Sequence, residues 1–253
     1  MNKQELLFYD AYEAFYAMAR TSEAFKAFCQ EAFGADFSQD GFSDLAQIDM
    51  ILPHIPRKED AHVLDIGCGN GKMLGYLQEK TGCYIHGFDY AEEAIRTARA
   101  LHPRLSDFRE GVIGEITYPA GHFDVITSMD TMYFAPDMTA FVGQIKHWLQ
   151  KGGVFFAGYQ EGDVVAKTAN MHTTQLAQAL AANDMYYEVT DITEQTYALL
   201  HNKRRAALAQ QQAFEAEGNR AWFELLMEQT EYAACSLEAF KARMARYIYI
   251  ARK

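Results

Sequence analysis

The chain has 253 residues, 49% of them hydrophobic and 23% charged, with 34 Asp and Glu against 23 Lys and Arg and a net charge of −11. That composition excludes a disordered tail-like chain and leaves room for one α/β domain with attached helices, its core large enough to need no disulfides. The acidic excess disfavours a nucleic-acid backbone as main partner and favours a small molecule, and no apolar run approaches the roughly 20 residues of a membrane span.

Four scattered cysteines (Cys29, Cys68, Cys83, Cys235) and no visible leader segment predict a reducing, cytoplasmic setting. Residues 1–52 read as helix-rich: Phe8, Tyr12, Phe15 and Ala19 recur at helical spacing, and Thr21-Ser22-Glu23 suits a second helix start. A short helix over 45–52 is stopped by Pro53 and Pro56. Strands are then predicted over 61–66, 84–88, 105–109, 123–129 and 154–159, with helices over 71–80, 91–101 and 137–149 between them. Short apolar strands alternating with amphipathic helices indicate βαβ units around a mostly parallel sheet. A helix over 173–182 and a sixth strand over 186–192 follow. The segment 194–244 has no proline and reads as long helix with a break at Gly218, before a terminal strand over 246–251 rich in Tyr and Ile.

The chemistry concentrates after the first strand, in Val63-Leu64-Asp65-Ile66-Gly67-Cys68-Gly69-Asn70-Gly71. Glycines at alternate positions let the backbone turn sharply and leave space for a ligand, and the following helix supplies unpaired amide donors. Asp89, at the end of the second strand, is suited to accept hydrogen bonds from both hydroxyls of a ribose. The Gly67, Gly69, Gly71 spacing departs from the Gly-x-Gly-x-x-Gly fingerprint of dinucleotide folds, and Lys72 lacks the following Ser or Thr of a phosphate loop.

On these residues, the stretch 61–160 resembles the class I S-adenosylmethionine-dependent methyltransferases. Their first motif corresponds to Val63–Gly71, their acidic ribose position to Asp89, and their fourth-strand motif to Phe123–Asp130. The resemblance implies a Rossmann-like seven-stranded sheet in the order 3-2-1-4-5-7-6, its last strand antiparallel. It also implies one domain whose core spans 61–192 and whose helices over 1–52 and 194–244 form a cap. By the same resemblance, Asp65, Gly67, Cys68, Gly69 and Gly71 hold the methionine part of S-adenosylmethionine, Asp89 the ribose, and Tyr90, Val112 and Ile113 the adenine. Val112 stands where relatives often carry an acidic residue for the adenine amino group, so a backbone carbonyl or Glu115 is left for that bond, or the correspondence shifts by a residue.

Methyl transfer is a direct displacement that needs the acceptor, methyl carbon and sulfur in line, so orientation and exclusion of water carry much of it. Ligands of such sheets bind beyond the C-terminal strand ends. That singles out Asp130 after the fourth strand, also beside the cofactor, Tyr159 at the fifth, and His172 as a base titrating near neutrality. Tyr9, Tyr12, Tyr133, Tyr197, His201 and Trp222 are the candidate acceptor-binding residues, where aromatic faces stabilise cations. Sequence spacing gives no metal site: His54 and His62 lack suitably spaced partners, and Asp36, Asp40 and Asp44 lack the pattern of a calcium loop. A nicotinamide oxidoreductase or a non-catalytic binding protein on this fold are the rival readings. The predicted oligomeric state is monomer or homodimer.

Overall fold

In the computed structural model, which describes Leu6 and residues 8–253, seven strands pair into a single sheet. Part of the helix-rich reading of 1–52 falls on residues 1–5 and 7, outside the described residues. The chain runs through α1 (Tyr9–Thr21), α2 (Glu23–Phe33), α3 (Leu45–Asp49), β1 (His62–Ile66), α4 (Lys72–Thr81), β2 (Tyr84–Asp89), α5 (Glu92–Leu101) and β3 (Ser106–Glu110). It continues through β4 (Phe123–Met129), α6 (Met138–Trp148), β5 (Leu149–Glu161), α7 (Gln175–Ala182), β6 (Tyr186–Asp191), α8 (Thr193–Ala216), α9 (Arg220–Thr230), α10 (Leu237–Arg243) and β7 (Ala245–Arg252).

The strand order is β3-β2-β1-β4-β5-β7-β6, as the resemblance implies, with β7 antiparallel to both its neighbours. β1, β2 and β4 are short and buried along nearly their whole length because helices cover both faces of the sheet. Leu64, Ile66, Ile126 and Phe155 pack with α6 and α7 on one face, and Val63, Ile85, Val125 and Phe156 with α4 and α5 on the other. Each such side chain contributes roughly 1.5–3 kcal/mol when fully buried. Helix starts follow side-chain caps: Ser22 accepts from the Phe25 amide, Asp137 from Ala140 and Thr174 from Ala177.

The expected break at Gly218, with φ +74°, separates α8 from α9, and the rest of that helical stretch is divided further by a 3-10 turn before α10. The third strand starts one residue later than expected, since Leu105 is exposed and takes φ +51°. Phe15, Phe25 and Phe28 of the first two helices pack with Leu199 and Phe214 of α8 and Leu226 of α9 into an aromatic-rich cluster of their own. Glu217, just past α8, accepts from the Ala24 amide and Ser22 hydroxyl at the start of α2, pinning the two halves of this cap together. Among the described residues no helix is long and apolar enough to cross a membrane.

Candidate active site

Because β1, β2 and β4 run parallel, their C-terminal ends open on one edge of the sheet, where the glycine loop, Asp89 and Asp130 come together. Gly67 and Gly69 have φ of +71° and +53°. A Cβ on Gly67 would lie 2.6 Å from Thr131 Cγ2, and one on Gly69 would lie 2.4 Å from Tyr16 Oη. Close packing and left-handed backbone together demand glycine at both positions.

Asp89 Oδ2 accepts from the Gly69 amide at 3.0 Å and Oδ1 from the Ala91 amide at 2.9 Å, which fixes the carboxylate at the loop. The two oxygens of a carboxylate offer about four acceptor sites, so capacity remains for a ligand. Burial pushes its pKa up to about 6 against the pull of those amides. Asp65 lies beneath the loop, its Oδ1 accepting from Thr127 Oγ1 at 2.7 Å, and burial pushes it up to about 7.

A cavity of about 390 Å³ is lined by Gly67, Asp89, Tyr90, Gly111 and Ile113 together with Asp130 and Tyr133. Tyr12 and Tyr16 of α1 and Trp222 of α9 line it as well. Its volume falls within the range of small-ligand sites. Asp130 adopts φ +60° and is clamped by Arg246 of β7, with Nε 3.1 Å from Oδ1 and Nη2 2.6 Å from Oδ2. The same buried guanidinium donates to the Phe42 carbonyl, Ser43 Oγ and Gln47 Oε1, so one side chain joins sheet, strand end and the loop before α3.

The described lining holds four carboxylates (Asp40, Asp89, Asp130, Asp163) and no Lys, Arg or His. Asp40 accepts from Gln229 Nε2 and Asp163 from the Tyr232 hydroxyl. Burial, and then the nearby Asp130, push the Tyr133 phenol well above its ordinary range. Burial, and then Asp40, raise Tyr12. The arrangement favours a neutral or cationic guest over an anion.

Among the residues singled out from sequence, Gly67, Asp89, Tyr90, Ile113, Asp130, Tyr12, Tyr133 and Trp222 line this cavity. Asp65, Cys68, Gly69, Gly71 and Val112 build or flank the loop region without lining it, and Gly69 meets the cavity through Tyr16. Tyr9 stands beside Tyr90, ring centres 5.9 Å apart. Tyr159 is fully buried with its centroid 6.1 Å from Tyr133, behind the lining.

His172, Tyr197 and His201 are not brought to the cavity. His172 is exposed beside the Tyr187 hydroxyl of edge strand β6, at 3.2 Å. Tyr197 donates to the Cys235 carbonyl and packs its ring against His201, within the small cluster around Phe240. Tyr16, Thr131 and Arg246 were missed as site residues. Only Arg246 left a trace in the sequence, as a charge opening an otherwise apolar terminal strand.

A family model described as a methyltransferase domain matches residues 41–219. The ubiquinone biosynthesis O-methyltransferase of Xanthomonas axonopodis pv. citri is 34% identical over 101 residues, which cover 38% of this chain and 41% of that protein. The chain spans less than half the length of the curated relatives it matches. In structure, it is similar to the Haemonchus contortus phosphoethanolamine N-methyltransferase 2 in complex with S-adenosyl-L-methionine. That match has a TM-score of 0.73 at 16% identity, over 94% of this chain and 59% of the other. A cyclopropane synthase of Mycobacterium tuberculosis superposes with a TM-score of 0.71 at 15% identity, over 96% of this chain and 98% of that one. At these identities the structural matches establish the fold.

Proposed function

Since the chain belongs to the methyltransferase-domain family, we propose that it transfers a methyl group from S-adenosylmethionine to a small neutral or cationic organic acceptor. The observation that carries this reading is the continuity of the cavity: Asp89 and Tyr90 line the same volume as Asp130 and Tyr133. The residues fit the cofactor. Asp89 is held by two backbone amides with acceptor capacity to spare, beside an open wall at Gly111 and Ile113, and the loop glycines leave no side chain in the way.

When bound, S-adenosylmethionine supplies a methyl group on a cationic sulfur. Asp89 receives the ribose hydroxyls, Tyr90 and Ile113 flank the adenine, and Gly67 lets the loop approach the methionine portion. Asp130 is committed to Arg246 by two hydrogen bonds, which suits it to orient an acceptor rather than to roam as a base. Tyr12, Tyr133 and Trp222 enclose the transfer end, excluding water and offering ring faces to positive charge. Orientation of this kind supplies up to roughly 7–11 kcal/mol of a barrier. Tyr16 packs directly on Gly69, and α1 and α9, whose residues line the cavity, are the parts of the cap whose movement would admit ligands.

The test is release of S-adenosylhomocysteine, with product mass analysis, across a panel of small amines, phenols and apolar acceptors alongside phosphorylated analogues. The reading expects turnover with a neutral or cationic member. Turnover confined to phosphorylated compounds or to nucleic acid contradicts it.

A further inference from the structure

At the opposite edge of the sheet from the cavity, three imidazoles meet that lie far apart in sequence. His62 opens β1, His86 stands in the middle of β2, and His122 immediately precedes β4. Because β1 sits between β2 and β4, the strand order brings all three rings together. Ring centres are 4.7 Å apart for His62 and His122, and 5.2 Å for His86 with each of the others. One ring nitrogen from each residue lies within 4.8 Å of those of the other two.

His62 Nδ1 and His86 Nε2 face each other 2.9 Å apart. Three nitrogens around a tetrahedral zinc ion stand about 3.3 Å from one another, given metal–nitrogen bonds of about 2.0–2.1 Å. The cluster therefore needs only small side-chain adjustments to close on an ion. Behind it, His86 Nδ1 is buried and has no hydrogen-bond partner. The register sets Asp107 of β3 directly beside His86, with Oδ2 3.8 Å from that nitrogen. A ligating imidazole whose second nitrogen points at a carboxylate is the usual arrangement behind a bound metal.

Arg109 shares the same Asp107 oxygen, its Nε at 2.9 Å, and Lys58 pairs with Asp124 at 2.8 Å one strand away, so the local charge is mixed. Tyr84 and Phe123 pack on His86 with ring centres 4.8 and 5.1 Å away, forming an apolar wall on one side. His62 and His122 are only half-buried, which leaves the fourth direction open to solvent.

We propose that His62, His86 and His122 form a three-histidine site for a divalent transition metal of the zinc class, with Asp107 orienting His86. Imidazole ligands select such ions over calcium or magnesium. A bound ion would tie β1, β2 and the residue before β4 together, so its effect is read in stability, independently of any methyl transfer.

The experiment titrates the full chain with zinc chloride against a chromophoric chelator, and with cobalt(II) for its visible spectrum. It runs wild type beside His122→Gln and Asp107→Asn, with far-UV circular dichroism to verify folding. The expected result is one zinc per chain and a cobalt spectrum of four-coordinate nitrogen type. Zinc should raise the thermal midpoint of wild type more than that of either variant, His122→Gln should lose affinity more than tenfold, and Asp107→Asn should lose about tenfold. His62→Gln gives the same reading should His122→Gln not fold. Absence of saturable zinc binding, or equal affinity in wild type and the histidine variant, overturns the proposal and leaves the cluster as packed, hydrogen-bonded imidazoles.

Discussion

Asp130, just past the end of β4, and Arg246 of β7, a strand that does not pair with β4, hold each other by two hydrogen bonds in a setting where both are almost wholly buried. Removing one partner leaves an uncompensated charge, which costs about 3–5 kcal/mol. Asp130→Ala and Arg246→Met should each lower the urea midpoint strongly, and the double variant should recover part of the loss. A coupling near zero in that double-mutant cycle would mean that the pair is not the link between strand end and cap.

The carboxylate of Asp89 titrates near pH 6 in the free protein, raised by burial. A ligand whose hydroxyls donate to Asp89 favours its ionised form, so affinity should be constant above pH 7 and fall about tenfold per unit below pH 6. Calorimetric affinity for S-adenosylhomocysteine between pH 5 and 8 checks this, with Asp89→Asn expected to be weak and flat across the range.

Asp65 makes a different pH prediction, on stability. Burial raises its folded pKa to about 7, above the value of about 3.9 for an unfolded aspartate, so between those pH values the native state binds the extra proton. Its contribution is present at low pH and lost as pH rises through 7. Relative to Asp65→Asn, wild type should therefore gain stability on acidification from pH 7.5 to 5, by at most about 1.4 kcal/mol per unit. Parallel urea midpoints for the two proteins would contradict this.

Gly69 and Gly218 separate backbone strain from contact. Both have positive φ, and a Cβ at Gly218 meets nothing within 4 Å whereas one at Gly69 meets Tyr16 Oη. Gly218→Ala should cost about 1–2 kcal/mol and leave ligand binding intact. Gly69→Ala should in addition displace Tyr16 and weaken S-adenosylhomocysteine at least tenfold. Equal binding by the two variants in the same titration would remove Tyr16 and Gly69 from the site.

The glycine loop, Asp89 and the strand–helix alternation were legible in sequence because their chemistry is local: a strand, a turn and a helix start within a few residues. Asp130 was legible for the same reason, as the residue ending a strong apolar strand. Arg246 was not, because its partner lies 116 positions away and only the β5-β7 pairing brings it over. The same holds for His62, His86 and His122, whose grouping depends on the strand order rather than on spacing. His172, Tyr197 and His201 show the converse. Residue type alone suggested a role, whereas Tyr187, Cys235 and Phe240 supply local contacts that account for where these side chains sit.

The central claim is that the edge formed by the glycine loop and Asp89 holds an adenosyl ligand. Isothermal titration of the wild-type chain with S-adenosylmethionine and S-adenosylhomocysteine tests it most directly, beside Asp89→Ala. One saturable site per chain is predicted, weakened at least tenfold in Asp89→Ala with the fold retained. No saturable binding of either compound to wild type, or undiminished affinity in the variant, would contradict the account.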